Sequence, residues 1–322
     1  MTPNLENSVL VYDVGGSHVA AAVCFEDGYR LGPVIGTSHP REETSEAFVG
    51  MLHRIGVEAG AGLAPQKGAS LAFPGPFDFA AGISWMKHKL AYLYGVDLRG
   101  EVAARFGWQQ AEVRFLHDSA AFLLGEIGAG AAKGVARAVG ITLGTGIGSA
   151  FAVDGHIVTR GLGIPPGGEM WDLPYEGGIL EDSVSTRAIK GAYERRTGVA
   201  REVVELASLV DVDACAAETF REFGRHLGRA LNEALAEFAP QVIVLGGGIS
   251  KSPQLFLSAA KRELKDLHAE FRISTLLDKA ALAGAGVEFF SHPAARQARL
   301  AEKTRQVIAD QVPLAPLSKI GI

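Results

Sequence analysis

Apolar positions along this chain fall into two patterns. Some form short continuous runs closed by glycine turns. Others recur every three or four residues over longer stretches. Val9-Leu-Val-Tyr-Asp13 is an apolar run ending in an acid, Val14-Gly-Gly-Ser-His18 follows, and a second run from Val19 to Phe25 ends at Glu26-Asp-Gly28. Two apolar runs across a tight glycine turn predict consecutive antiparallel strands. Between Thr44 and Ala61, Phe48, Met51, Leu52 and Ile55 share one face at helical spacing. Gly68 to Pro74 reads as a buried strand stopped by Pro74-Gly-Pro76. A helix is expected over Val96 to Phe106, a strand over Val113 to Leu116, and a helix over Ser119 to Gly128 that Asp118 opens.

The second half repeats the opening theme. Ala136 to Leu143 predicts a strand, Gly144-Thr-Gly-Ile-Gly148 a glycine turn, Ser149 to Val153 a strand, and Asp154-Gly155 the next turn. Glu202 to Ala239 reads as mostly helical, with Leu227, Leu231 and Leu235 in one row, and Gln241-Val-Ile-Val-Leu245 as a buried strand stopped by Gly246-Gly-Gly248. Lys279 to Phe290 predicts a final apolar helix, which His292-Pro293 stops because the residue before a proline is biased away from helix. Alternating strands and helices imply α/β layers. The repeated strand–turn–strand unit implies two related domains rather than one wound sheet.

Composition adds one oddity and several exclusions. The chain has 322 residues, 48% of them hydrophobic, and 40 glycines, where average usage would give roughly 23. That excess points to tight turns or to backbone cleared for close approach. A net charge of −5 argues against a general attraction to nucleic acid or anionic membrane. The longest uncharged stretch, Ala138 to Val153, contains four glycines and falls short of the roughly 20 apolar residues a membrane helix needs. Met1 to Asn7 lacks the basic region of a signal peptide. Cys24 and Cys215 lie far apart with no CxxC spacing, which fits a reducing cytoplasm and gives no structural zinc site from cysteine.

The candidate chemistry sits at the turns, and each feature has a plain alternative. The two glycine turns are either simple hairpin turns or nests of backbone N–H groups that hold a polyphosphate from both sides. Asp13, just before the first, could face a hydrated Mg²⁺. Neither turn is a Walker A loop or a dinucleotide fingerprint. Gly246-Gly-Gly248 is a sharp turn or a place for a flat nucleoside. Asp118 is a helix N-cap or a general base. His117 is a second polar contact or a surface residue. Glu169 and Glu181, in and after the glycine- and proline-rich loop from Gly161 to Gly178, are solvated charges or acceptors for several hydroxyls.

Taken in order, Asp13-Val-Gly-Gly-Ser17, Pro74-Gly-Pro76, Gly95-Val-Asp-Leu98, His117-Asp118, Gly144-Thr-Gly-Ile-Gly148, Gly168-Glu169, Leu180-Glu181 and Leu245-Gly-Gly-Gly-Ile-Ser250 resemble the ROK sugar kinases, relatives of actin, Hsp70 and hexokinase. The resemblance runs from about Val9 to Phe290. It implies an α/β fold of two ribonuclease H-like (actin-like ATPase) domains with an interdomain cleft. The small domain would be residues 1–117, joined by the C-terminal helix at about 279–322, and the large domain residues 118–278. It further implies ATP and Mg²⁺ in the cleft beside a sugar, a cytoplasmic enzyme and a homodimer. By motif match, Asp13 lies near the metal and phosphates; Gly15, Gly16 and Ser17 form one phosphate loop and Gly144, Thr145 and Gly146 the other. Gly246, Gly247 and Gly248 border the adenosine, Asp118 is the catalytic base, and Gly75, His117, Glu169 and Glu181 bind the sugar.

Departures from the family pattern fall mostly on the acceptor side, with one at the end of the first phosphate loop. His117 stands where Asn is usual, Ala120 where a second Asn is usual, and His18 where Lys or Arg is common. The Glu-x-Gly-His motif reads Glu169-Met-Trp-Asp172, and Tyr175 to Glu181 replaces the Cys-rich zinc motif. Zinc is therefore expected to be absent, with Trp171 and Tyr175 among the groups holding the loop. The expected activity is phosphorylation of a hexose, glucose at its 6-hydroxyl. The alternatives are a kinase for an N-acetylated or amino hexose and a non-catalytic sugar-binding protein. A repressor would need a helix-turn-helix segment ahead of the first strand, and that strand is expected to begin at about Ser8.

Overall fold

The computed structural model describes residues 7–63 and 66–291; the His292-Pro293 stop and the tail from 294 to 322 lie outside them. The first half runs β1 (Ser8–Val14), β2 (His18–Phe25), β3 (Ile35–Ser38), α1 (Ser45–Ala59), β4 (Ala69–Phe73), β5 (Phe77–Asp78), β6 (Ile83–Ser84), α2 (Leu98–Phe106), β7 (Val113–His117) and α3 (Asp118–Ala129). The second runs β8 (Arg137–Leu143), β9 (Ile147–Val153), β10 (His156–Val158), β11 (Pro174–Tyr175), β12 (Gly178–Ile179), α4 (Leu180–Ser183), α5 (Thr186–Thr197), α6 (Val203–Leu209), α7 (Ala214–Leu235), β13 (Val242–Gly246), α8 (Leu257–Glu263), β14 (Glu270–Ile273) and α9 (Ala280–Ser291).

The repeated sequence unit becomes a repeated sheet. The first has the order β3-β2-β1-β4-β7 and the second β10-β9-β8-β13-β14. In each, three antiparallel strands are followed by two parallel ones. The central strand β1 is apolar at nearly every position because both of its faces are covered, as the period of two along a strand allows. Leu10, Tyr12 and Val14 pack with Phe48, Leu52 and Ile55 of α1 and with Leu98 and Val102 of α2. Val9 and Val11 pack with Leu282, Ala285 and Phe289 of α9. The second sheet does the same. Val139, Ile141 and Leu143 meet Phe220, Phe223, Leu227 and Leu231 of α7, while Ala138 meets Phe122 and Leu123 of α3 and Ala280 of α9.

Helices α3 and α9 thus lie between the two sheets. They cross so closely that glycine is required on both: a Cβ on Gly284 would stand 1.7 Å from the Ala121 carbonyl oxygen, and one on Gly125 2.0 Å from that of Ala280. Helix α3 is apolar nearly all round, as a helix buried on several sides must be. Ala121 and Leu124 face the first sheet and Phe122 and Leu123 the second. The helix expected over Glu202 to Ala239 is two helices, because Asp213 takes the N-cap of α7 and accepts from the Cys215 and Ala216 amides. No described helix is long and apolar enough to cross a membrane.

Candidate active site

The first glycine turn follows Asp13 at the end of β1. The Gly15 amide donates to the His18 carbonyl at 2.9 Å, closing the turn. His39 braces it from outside: its Nε2 lies 2.8 Å from the Gly15 carbonyl oxygen, and since a carbonyl only accepts, Nε2 carries the proton. A Cβ on Gly16 would meet nothing within 4 Å, so the missing side chain there leaves open surface. Ser17 Oγ lies 2.8 Å from His18 Nδ1. Burial first, then the charges of Asp118 and Asp278, push the Asp13 carboxyl up to about 7. The two charges that push it are carboxylates, an environment that favours an incoming cation.

Strand β7 delivers His117 and Asp118 to the same end of the sheet. His117, not Asp118, takes the N-cap of α3, and its Nδ1 lies 3.4 Å from the Ser119 amide. Asp118 is the first helical residue; its Oδ1 accepts from the Ser119 amide at 2.7 Å and lies 3.1 Å from His117 Nδ1. The plain reading of Asp118 as a cap is therefore replaced, and its side chain stays 42% exposed. Gly75, after β4, enters a cis bond to Pro76. A Cβ there would lie 3.5 Å from His117 Nε2, and the Phe79 ring stands 5.7 Å from the imidazole.

The loop from 161 to 178 brings Glu169 to these residues from the other half. Ser149, buried in β9, fixes the chain on both sides of it: its Oγ donates to the Gly168 carbonyl at 2.8 Å and accepts from the Met170 amide at 2.9 Å. Glu169 Oε1 then lies 3.6 Å from His117 Nε2. Glu181, the first-turn acid of α4, turns to the second glycine turn, where Oε2 accepts from the Ile147 amide at 3.3 Å. A Cβ on Gly146 would lie 2.1 Å from that oxygen. Thr186 steadies the same turn, its amide and its hydroxyl each donating to the Gly144 carbonyl at 2.8 Å. Thr145 is exposed.

The third glycine cluster is explained largely from within. Gly246 yields to the Phe122 ring of α3, which a Cβ would meet at 2.3 Å. Gly247 adopts φ +82° with the Leu143 carbonyl 2.4 Å from where a Cβ would be. Only Gly248 of the three faces open space. The segment from Tyr175 to Glu181 is tied down by the Tyr175 hydroxyl, 3.0 Å from His226 Nδ1 on α7. Burial lowers the His226 pKa, with Glu176 opposing. Among the described residues no three His, Cys, Asp or Glu side chains are grouped to hold a metal ion. Sequence reasoning did not find His39, Ser149 or His226, since nothing in their local spacing marks them.

Comparisons with known proteins show what the chain as a whole is similar to. The model of the ROK family matches residues 9–287. The glucokinase of Thermotoga maritima is 25% identical over 278 residues, spanning 79% of this chain and 86% of that protein. The ROK hexokinase of Thermus thermophilus has a structure similar at a TM-score of 0.71 and 26% identity, over 87% of this chain and 97% of that one. The ROK family glucokinase of Streptomyces griseus, solved with glucose and AMPPNP, gives 0.72 at 22% identity over 87% and 98%. Two actin-like ATPase-type sheets joined by crossing helices, with matched motifs spread from the first strand to the last helix, leave one conclusion: this chain belongs to the ROK family.

Proposed function

We propose that the protein transfers the terminal phosphoryl group of ATP to a hexose, glucose at its 6-hydroxyl, in the cytoplasm and as a homodimer. The observation that carries this reading is the meeting of His117 and Asp118, at the end of β7, with Glu169 from the loop after β10, His117 lying 3.1 Å from Asp118 and 3.6 Å from Glu169. A hydroxylated ring placed there has a carboxylate on each side and an imidazole between. The division into residues 1–117 with the C-terminal helix, and 118–278, accounts for α9 covering the inner face of the first sheet.

Asp118 orients the acceptor hydroxyl and takes its proton as the oxygen attacks the γ-phosphorus. The bond from that phosphorus to the bridging oxygen breaks, and ADP leaves. Phosphoryl transfer needs positioning and charge neutralisation more than covalent chemistry. The Gly15 and Gly144 amides close their turns from within, and the remaining amides of the two loops, at Gly16, Ser17, Thr145 and Gly146, supply donors to the phosphates. The substrate is the magnesium complex of ATP, and the carboxyl of Asp13 suits the hydration shell of that ion. Gly248 offers the open surface for the adenosine, while Gly246 and Gly247 shape the strand end that carries it. Glu169 and Gly75 border the sugar, and Glu181 reaches the same ground from the phosphate side.

A panel of hexoses, including N-acetylated and amino sugars, assayed with ATP and Mg²⁺ by coupled detection of ADP tests the reading. Glucose is expected to give the highest kcat/KM. Asp118→Ala is expected to lower kcat by roughly 10²–10⁴-fold while nucleotide binding measured by calorimetry persists. Near-normal turnover in that variant, or no sugar-dependent ADP from the parent, would sink the assignment.

A further inference from the structure

Glu169 is held through one of its oxygens and turns the other toward His117. Oε1 faces His117 at 3.6 Å, and Oε2 accepts from the indole Nε1–H of Trp171 at 2.7 Å. Trp171 is fixed in turn through its main chain: its carbonyl accepts from the Glu181 amide at 3.0 Å, and Met170 before it is buried. Yet the residue is 41% exposed. Core packing does not account for a tryptophan so placed. Its N–H is engaged by a carboxylate, a charge-assisted bond that is strong and directional. A glutamate on a loop otherwise samples many rotamers, and ordering it has an entropic cost.

We propose that Trp171 is a positioning residue for the sugar acceptor. It holds the Glu169 carboxylate so that its free edge faces His117, and the substrate class it serves is a polyol ring whose hydroxyl donates to that edge. The main chain of Trp171, through the Glu181 amide, joins this acid to the residue that accepts from Ile147 in the second glycine turn. The acceptor acid and the phosphate-side acid thereby share one support. This inference rests on the sugar-kinase reading above.

The test compares the parent with Trp171→Phe, which keeps an aromatic ring and removes the donor, and with Trp171→Phe placed in a Glu169→Ala background. In the parent background the substitution is expected to lower kcat/KM for glucose roughly ten- to hundredfold, the range for losing a hydrogen bond to a charged group. KM for ATP is expected to stay within twofold, because the main-chain support is untouched, and the thermal midpoint to stay within about 2 °C on the same argument. In the Glu169→Ala background the same change is expected to cost less than threefold, since no carboxylate remains to be held.

Trp171→Phe with glucose kcat/KM within threefold of the parent would overturn the proposal. So would an equal loss in both backgrounds, or a parallel worsening of the ATP and glucose KM values with a lowered midpoint, which marks a merely structural role. If the parent phosphorylates no sugar of the panel, the functional reading fails and takes this inference with it. A parent active with any of them isolates the proposal on its own.

Discussion

Asp13 stands out at the scale of single residues because burial and the charges of Asp118 and Asp278 all oppose its ionisation. Its carboxyl titrates at about 7 in the folded protein, against an ordinary value of about 3.9. Between about pH 4 and pH 7 the folded, ligand-free protein therefore holds a proton that the unfolded chain has released. Stability from this group is present below that window and is lost as the pH rises through it. Asp13→Asn is expected to remove the dependence and, at pH 8, to stabilise the ligand-free protein by up to roughly 4 kcal/mol. Urea unfolding of parent and variant at pH 5 and pH 8 checks it, and equal stability of the two at both values would count against the shift. On the proposed function, binding of the magnesium complex of ATP favours the ionised form, so it should release a proton at pH 6.5 in the parent and less in the variant. Calorimetry in two buffers of different ionisation enthalpy reads that difference.

At the scale of elements, the crossing of α3 and α9 decides how the halves are joined. Gly284→Ala places a Cβ 1.7 Å from a backbone oxygen, which no rotamer change relieves. Such overpacking costs about 1–3 kcal/mol or more, so the thermal midpoint is expected to fall by several degrees; an unchanged midpoint would mean that the crossing tolerates separation. The strands and turns flanking this joint were legible in the sequence because they are apolar runs cut by glycine, and β1–β2 and β8–β9 fall where the pattern put them. Helix α5 was not legible. It presents Arg187, Lys190, Glu194, Arg195 and Arg196 and buries only Ile189, Ala192 and Tyr193, so its apolar face is too thin to show as a period. The glycines of α9 were visible, but their partner in α3 lies about 160 positions earlier, and only the fold brings the two backbones together. The same limit applies at the site. Asp118 and Glu169 carry motif spacing, whereas Ser149 and His39 act through single hydrogen bonds to distant backbone.

On the scale of the whole molecule, each sheet has a core on its outer face, but the inner faces of both are covered by the shared helices α3 and α9, so neither half keeps its inner cover when the other is lost. Thermal unfolding is expected to show one calorimetric transition whose enthalpy matches the van't Hoff value; two separable transitions would contradict the shared helix. The placement of α9 has a consequence in time as well as in space. Val9, Val11, Ala22 and Cys24 form the inner face of the first sheet, and the helix that covers them is Ala280–Ser291. During synthesis at about 5–20 residues per second, the five strands of the first sheet leave the ribosome and then wait roughly 9–35 s for their lid. Throughout that interval a greasy surface is on offer to chaperones and to neighbouring nascent chains. A chain ended at residue 279 is frozen in this unfinished state. It should be captured by holdase chaperones or sediment as aggregate, while the longer chain escapes both fates the moment its last helix arrives.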